Sequence, residues 1–348
     1  MKLIRFAIAA ILVALVFYLL IVAQDLLLPL VIAIAIWYLI NVLASVFAKA
    51  HLGGRHLPRP ISFLAAILVF LGFISIVVQF ISDSLNDLGP VAREYEVNLR
   101  LLWDSLPFSS YLPMEGLSQL VSERLDISGM VTTLALSFTS LARDGMLIMI
   151  YVGFLLYEQG NFNAKLTALM GNESRERQVL RILQKVRADI QKYISIKLFT
   201  SSLTGILSYG ILRLLDIDFP EVWGLLIFLL NFIPTIGSIV ATLFPTLIAL
   251  AQSPDGYGLS LLVLIGIGSL QVSIGNILEP RLMGTSLNLS PLVILFNLAL
   301  WGSIWGIPGM FLCVPLLIIT TIILSHFPKT RPVAVLLSSN GKIDITED

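Results

Sequence analysis

The sequence predicts an all-α polytopic membrane protein, and three observations support that fold class. Hydrophobic residues make up 57% of the 348 residues and charged residues only 13%, which is about half the charged share of a soluble domain. Several apolar runs are long enough to cross a hydrocarbon core of about 30 Å. The loops between these runs alternate between basic and acidic character, as expected for repeated membrane crossing. We therefore expect about eight membrane segments, with broken or re-entrant helices in the C-terminal half.

The N-terminal half is predicted to carry its spans in a regular order. Residues 1–82 supply the first three spans, and the loop at 49–60 contains bases without acids, so this loop and the N-terminus are expected in the cytoplasm. Residues 83–128 are acidic and polar and are predicted to form an extracytoplasmic helical insertion. The fourth span is expected within 129–157. Residues 158–197 are basic with apolar residues at helical spacing, which indicates a cytoplasmic amphipathic helix.

The fourth span contains two adjacent charged residues, Arg143 and Asp144. Neighbouring residues on a helix point in different directions, so these two side chains cannot neutralise each other directly. Charge at membrane depth requires a partner or water. Two interpretations remain open: the side chains reach the outer interface, or they line a hydrated cavity.

Residues 198–325 are predicted to form the transport core, because polar residues, proline and glycine interrupt their apolar runs at three places. Irregular backbone at membrane depth is tolerated only when it is packed in protein or lines a wet cavity. Paired interruptions of this kind point to a transport site. The residues predicted to bind solute or gate its passage are Asn231, Pro234, Thr235, Gly237, Asn276, Pro280, Gly284, Asn297, Gly306 and Pro308.

The path of the chain through two of these interruptions is left open by the sequence. Residues 222–251 and 291–325 each form either one kinked crossing or a re-entrant hairpin that turns back at its break. Both possibilities place the tail, 326–348, in the cytoplasm. The 252–258 loop has an acid and no base, which favours an outer position and therefore the hairpins.

Glu279 is the main candidate for binding a coupling proton or cation, because an acidic side chain at membrane depth can change its protonation. Arg281 is the expected counter-charge, and Asp144 is a further coupling candidate. The alternative for Glu279 and Arg281 is a structural ion pair at an interfacial turn.

Four motifs in order closely resemble the autoinducer-2 exporter family of bacterial membrane proteins. The first runs over 222–237 and includes Asn231 and Pro234, and the second is Gly275-Asn-Ile-Leu-Glu-Pro-Arg-Leu-Met-Gly284. The others are Leu289-Ser-Pro291 and the stretch 306–315. The resemblance extends over nearly the whole chain.

The resemblance implies a secondary transporter that exports a small polar solute, notably the quorum-sensing furanone autoinducer-2. It also implies a homo-oligomer, with a pentamer as the expected assembly, in the lipid of the bacterial inner membrane. A sodium/proton antiporter and an oligomeric channel are the alternative functions. No cofactor or metal is expected.

Composition and motifs argue against several other classes. The formal net charge is zero, which favours no nucleic-acid partner. The sequence has no phosphate-binding loop of the Walker type and no His-Glu-x-x-His motif, so neither ATP hydrolysis nor zinc protease chemistry is expected. The chain is therefore predicted not to be an enzyme.

Overall fold

The computed structural model describes residues 2–49, 51–52, 55–56, 58–104, 145–169, 173–253, 256–284 and 288–342. Within these ranges the chain is almost entirely helical, apart from a short pairing of β1 (His51–Leu52) with β2 (Arg55–His56). The helices are α1 (Lys2–Val22), α2 (Gln24–Lys49), α3 (Arg59–Asp104), α4 (Gly145–Glu158), α5 (Phe162–Leu169), α6 (Glu173–Leu214), α7 (Pro220–Leu230), α8 (Ile236–Ala251), α9 (Gly256–Gln271), α10 (Glu279–Met283), α11 (Pro291–His326) and α12 (Arg331–Leu337).

The helical, membrane-protein character predicted from composition is confirmed. In the described ranges, five helical stretches are long and apolar enough to cross a membrane, and four shorter apolar helices accompany them. The long stretches are Gln24–Ala48, Pro60–Phe80, Glu176–Leu214, Gly256–Met283 and Pro291–His326. Asp144 and most of the predicted extracytoplasmic insertion lie outside the described residues.

The described chain divides into two compact units. The first comprises 1–66, 144–195 and 283–348, and the second comprises 67–143 and 196–282. In the first unit, the indole of Trp37 donates to Gln159 Oε1 at 3.0 Å, and the hydroxyl of Tyr38 donates to the carbonyl of Arg187. These bonds fasten α2 to the turn that follows α4 and to the first half of α6.

The second unit has an apolar core built from α6 to α9. Leu212, Ile227 and Val263 are fully buried in it, and the distal part of α3 closes one end. There, Asn98 Nδ2 donates to the carbonyls of Ala251 and Gln252 at 3.1 and 3.2 Å. These carbonyls at the end of α8 have no partner within that helix, so Asn98 of α3 serves as its C-terminal cap.

Residues 220–251 form a helical hairpin, which resolves the first topological alternative. The rings of Trp223 in α7 and Phe244 in α8 stack with centroids 6.3 Å apart, whereas one continuous helix would separate them by about 30 Å. The turn contains Thr235 with a positive φ of 60°. A Cβ on Gly237 would lie 1.8 Å from the carbonyl oxygen of Leu230, so only glycine lets the two arms meet this closely.

The second interruption also folds back on itself. Asn297 Nδ2 donates to the carbonyl of Cys313, although sixteen residues of straight helix would span about 24 Å. The reversal lies at Gly306, where φ is 62° and ψ is −141°. L-residues with side chains avoid this conformation. Residues 291–325 are therefore a hairpin rather than a kinked helix, and α11 consists of its two arms, which meet at Gly306.

The helix is continuous at two predicted domain boundaries and at one predicted break. Helix α3 continues through the predicted boundary at residue 82, and α6 continues through the one at 197. The predicted break at Asn276 to Pro280 is a π-helical segment, Val272–Leu278, that joins α9 to α10. The backbone N–H of Glu279 bonds to Ile274 O, five residues earlier. The wider turn accommodates Pro280, which has no N–H to donate, and the helix ends only near Gly284.

The described part of the tail folds back onto the segment that precedes α11. Leu289 forms an antiparallel bridge with Ser338. The N–H of Ser290 bonds to Leu337 O at 3.0 Å, and the N–H of Ser339 bonds to Asn288 O at 3.2 Å. The tail therefore packs, up to residue 342, against the segment of the first unit that precedes α11.

Candidate transport site

A row of polar side chains lies buried along the C-terminal part of α6. Apart from the adjacent Thr200 and Ser201, its members are three or four residues apart and therefore share one face of the helix. All are at most 6% exposed: Lys197, Thr200, Ser201, Thr204 and Ser208. A polar stripe on the interior face of an apolar unit is costly to bury without partners. Its partners therefore define the candidate site.

The first partner is Glu279, at the start of α10. Lys197 Nζ donates to both carboxylate oxygens, at 2.8 and 3.0 Å, and the hydroxyl of Thr200 donates to one of them at 3.2 Å. The Lys197 and Glu279 side chains are only 8% and 14% exposed. Each charge is therefore neutralised by its partner inside the protein, as buried charges require.

The prediction that Arg281 is the counter-charge of Glu279 is wrong. Arg281 is exposed, because two residues along a helix is about 200° around it, which turns the arginine away from the carboxylate. The cation comes instead from α6, far away in sequence.

The second partner is Asn231, the residue that ends α7. Its Nδ2 donates to Ser201 Oγ at 3.0 Å, and its side chain is 6% exposed. Its own N–H continues the helix by bonding to Ile227 O. The polar break between α7 and α8 therefore meets α6 one residue from Thr200, which touches Glu279. The first and second sequence motifs are brought to the same turn of α6.

A π-helical segment leads directly into Glu279. Such segments are rare and often occur at functional sites, because one extra residue in a turn leaves a carbonyl without its usual partner. Here the segment sets the angle at which Glu279 faces α6. It also contains Asn276, whose side chain is exposed on another face.

The remaining predicted site residues are placed differently. In the second unit, Gly237 is buried at the hairpin turn, Pro234 beside it is half-buried, and Thr235 and Pro280 are exposed. Gly284 has a positive φ of 59° at the end of α10.

Gly284 belongs to the first unit, as do the last three predicted residues, which lie in the hairpin at Gly306. Asn297 is buried at 9% exposure and bonds within its own hairpin. Gly306 is exposed at the reversal, and Pro308 begins the returning arm half-buried.

The sequence reasoning missed Lys197, Thr200 and Ser201 as site residues. The sequence pattern places Lys197 at the end of the basic amphipathic helix and assigns no role to Thr200 or Ser201. The available signal was the position of Lys197: it is the last base before a long uncharged stretch, and hydroxyls follow it at i+3 and i+4.

These features define a class: a multi-pass membrane protein with discontinuous helices around a buried polar layer, as found in secondary transporters. The chain belongs to the AI-2E transporter family, whose model matches residues 6–329. The resemblance inferred from the four motifs is confirmed.

Curated relatives agree with the family assignment. The AI-2 transport protein TqsA of Escherichia coli K12 is 29% identical over 92% of this chain and 91% of its own length. A putative transport protein of Haemophilus influenzae is 33% identical over 65% of this chain and 66% of its own. The putative transport protein YhhT of Escherichia coli K12 is 27% identical over 90% and 88%. These relatives carry the names of transport proteins rather than of enzymes.

Proposed function

We propose that this protein is a secondary transporter that exports a small polar solute, autoinducer-2 or a similar signalling molecule. The observation that carries the proposal is the buried polar layer at which Asn231 and Glu279 meet one turn of α6. A polar layer inside an apolar unit gives a polar solute hydrogen-bonding groups that lipid cannot offer. The name of the relative TqsA supplies the solute to test first.

The two hairpins support a mechanism of alternating access. Helices α7 and α8 contain 11 and 16 residues, or about 16 and 24 Å of helix. Both are shorter than a hydrocarbon core of about 30 Å, so the hairpin reaches membrane depth without crossing. A hairpin tip at that depth is suited to gating a central site.

The Lys197–Glu279 pair is the proposed coupling element. Its charges cancel, so the resting layer is neutral and suits an uncharged solute. A coupling proton or cation would act on the site at Glu279, the residue that holds Lys197. Asp144 remains a second coupling candidate.

The proposal includes a bacterial inner-membrane location with both termini in the cytoplasm. It also includes assembly into a homo-oligomer, with a pentamer as the stoichiometry to test. The basic loop at 49–60 and the basic 158–197 segment support this orientation.

Flux measurements in proteoliposomes test the function. The wild-type protein is expected to move autoinducer-2 with saturable kinetics, and Arg281→Gln serves as a nearby exposed control with unchanged flux. Sodium-dependent proton movement without autoinducer-2 flux would instead support the antiporter. Non-saturable conductance would support the channel.

A further inference from the structure

In the second unit, three buried polar side-chain atoms have no hydrogen-bond partner in the described ranges: the hydroxyl oxygen of Ser208, the indole nitrogen of Trp223 and the amide nitrogen of Gln271. The Trp223 ring packs against the apolar core, whereas Ser208 and Gln271 lie on the facing helices α6 and α9. Ser208 is 0% exposed and Gln271 is 8% exposed. Native proteins pair nearly all such groups, so an unpaired donor in an interior needs a specific explanation.

Helix register places the two side chains at the same level. Two contacts show that α6 and α9 run antiparallel. Lys197 of α6 bonds to Glu279, which follows α9 through the π-helical segment. Further along α6 and earlier along α9, an added Cβ on Gly266 would be 3.2 Å from Ile211 Cγ2. Ser208 precedes Ile211 by three residues, or about 4–5 Å along α6. Gln271 follows Gly266 by five residues, or about 7–8 Å along α9, and because the helices are antiparallel both steps go toward the Lys197–Glu279 pair. They therefore lie within one helical turn of each other.

Both residues also belong to the interior faces of their helices. Gln271 follows Val263 and Ile267 at intervals of four residues, and both of these are 0% exposed core residues. Ser208 lies between Thr204 and Leu212, also at intervals of four and also buried. The amide and the hydroxyl are thus directed into the interior of the second unit, on the same α6 face as the Lys197–Glu279 pair.

The chemistry of these groups selects the ligand. The amide nitrogen of glutamine only donates hydrogen bonds, and a serine hydroxyl donates one and accepts others. The unpaired group of Gln271 is its amide nitrogen, which fits a hydroxyl, carbonyl or ether oxygen and cannot itself coordinate a cation, whose ligands are oxygens. The nearest buried charges on α6 and α10 already pair with each other. The set therefore favours an uncharged ligand rich in oxygen.

We propose that Ser208 and Gln271 form a hydrogen-bonding subsite for a neutral, oxygen-rich small solute. This inference rests on the proposed transport function and assigns the chemical class of its solute. The π-helical segment begins at the next residue, Val272. The subsite continues the polar row of α6 beyond the charged pair, so a solute would pass from one to the other.

The test measures solute binding by purified full-length protein through the shift of its thermal midpoint, Tm. The variants are Gln271→Met and Ser208→Ala. Ser269→Ala is the matched control, since Ser269 is exposed and its hydroxyl already donates to Gly266 O at 2.9 Å. The probes are autoinducer-2, ribose and sodium chloride.

At least one neutral probe is expected to raise the Tm of the wild type and of Ser269→Ala. Each subsite variant should weaken its apparent affinity about tenfold, the effect of losing one good hydrogen bond. Without solute, Gln271→Met should keep or raise the Tm, because it removes a buried amide that lacks a partner. A purely structural role for Gln271 would lower that Tm instead. Ser208→Ala removes only one oxygen atom, so it should fold and give the change in solute affinity even if Gln271→Met folds poorly.

The possible outcomes separate the subsite from the wider function. Stabilisation by sodium chloride alone, no shift with any neutral probe, or equal affinities in all variants would overturn the subsite. Flux of autoinducer-2 that is the same in wild type and variants would also overturn it, while leaving the transport function intact. Gln271-dependent binding of ribose without binding of autoinducer-2 would support the subsite and reject autoinducer-2 as the solute.

Discussion

Removing one charge from the Lys197–Glu279 pair should destabilise the protein far more than removing both. Lys197→Met leaves the Glu279 carboxylate without its partner, and that side chain is only 14% exposed. Glu279→Gln leaves the Lys197 ammonium without its partner, and that side chain is only 8% exposed. Isolating one member of a buried pair costs about 3–5 kcal/mol, whereas replacing both by neutral residues is often close to neutral. The double variant should therefore be within about 2 kcal/mol of wild type.

Unfolding by sodium dodecyl sulfate in mixed micelles, followed by far-ultraviolet circular dichroism, gives the four free energies of the cycle. The coupling energy between the two positions should reach at least about 3 kcal/mol. Arg281→Gln is the control, and its exposed side chain should change stability by about 0.5 kcal/mol or less. Small, additive effects of the two single substitutions would show that water screens the pair, and the buried-pair account would then be wrong.

Three further predictions concern the backbone and the polar contacts. Gly306→Ala should destabilise the protein by about 1–3 kcal/mol, because alanine must adopt φ 62° and ψ −141° there. The control Gly268→Ala, in an open helical position, should leave stability unchanged or raise it by up to about 1 kcal/mol in the same unfolding assay. Asn231→Ala should cost about 1–3 kcal/mol by orphaning its buried partner, and in a double-mutant cycle it should be non-additive with Ser201→Ala. Burial and a hydrogen bond to a carboxylate raise the pKa of Tyr95 in the folded protein, so its stabilising effect is complete below the unfolded value near pH 10 and is lost above it by about 1.4 kcal/mol per pH unit. Melting curves at pH 9 and 11 should show a larger loss for wild type than for Tyr95→Phe, and equal losses would contradict the role of this hydroxyl.

The sequence predicted the class of the fold because long apolar runs and loop charge report directly on lipid. It also located the polar breaks correctly at Asn231 and Gly306, since asparagine, proline and glycine act on the local backbone. It could not decide between kink and hairpin, because Trp223 and Phe244 come together only through the turn. Tertiary contact decides that question.

Pairing across the chain was the part that local reasoning could not reach. Arg281 was favoured because it is close in sequence to Glu279, yet helix geometry carries it to another face. Lys197 is 82 positions away and reaches the carboxylate only because the fold brings α6 against the start of α10. The π-helical segment was likewise hidden, since proline at 280 signals a break as readily as a widened turn.

The chain contains one cysteine, and the hairpin at Gly306 buries it at 0% exposure. Maleimide reagents should therefore leave the native protein unmodified under conditions that preserve its fold. New thiols introduced at chosen positions could then be probed from either side of the membrane in the natural background, without first constructing a cysteine-free parent. The natural sequence is therefore suitable for mapping which positions along the proposed transport path are accessible to water.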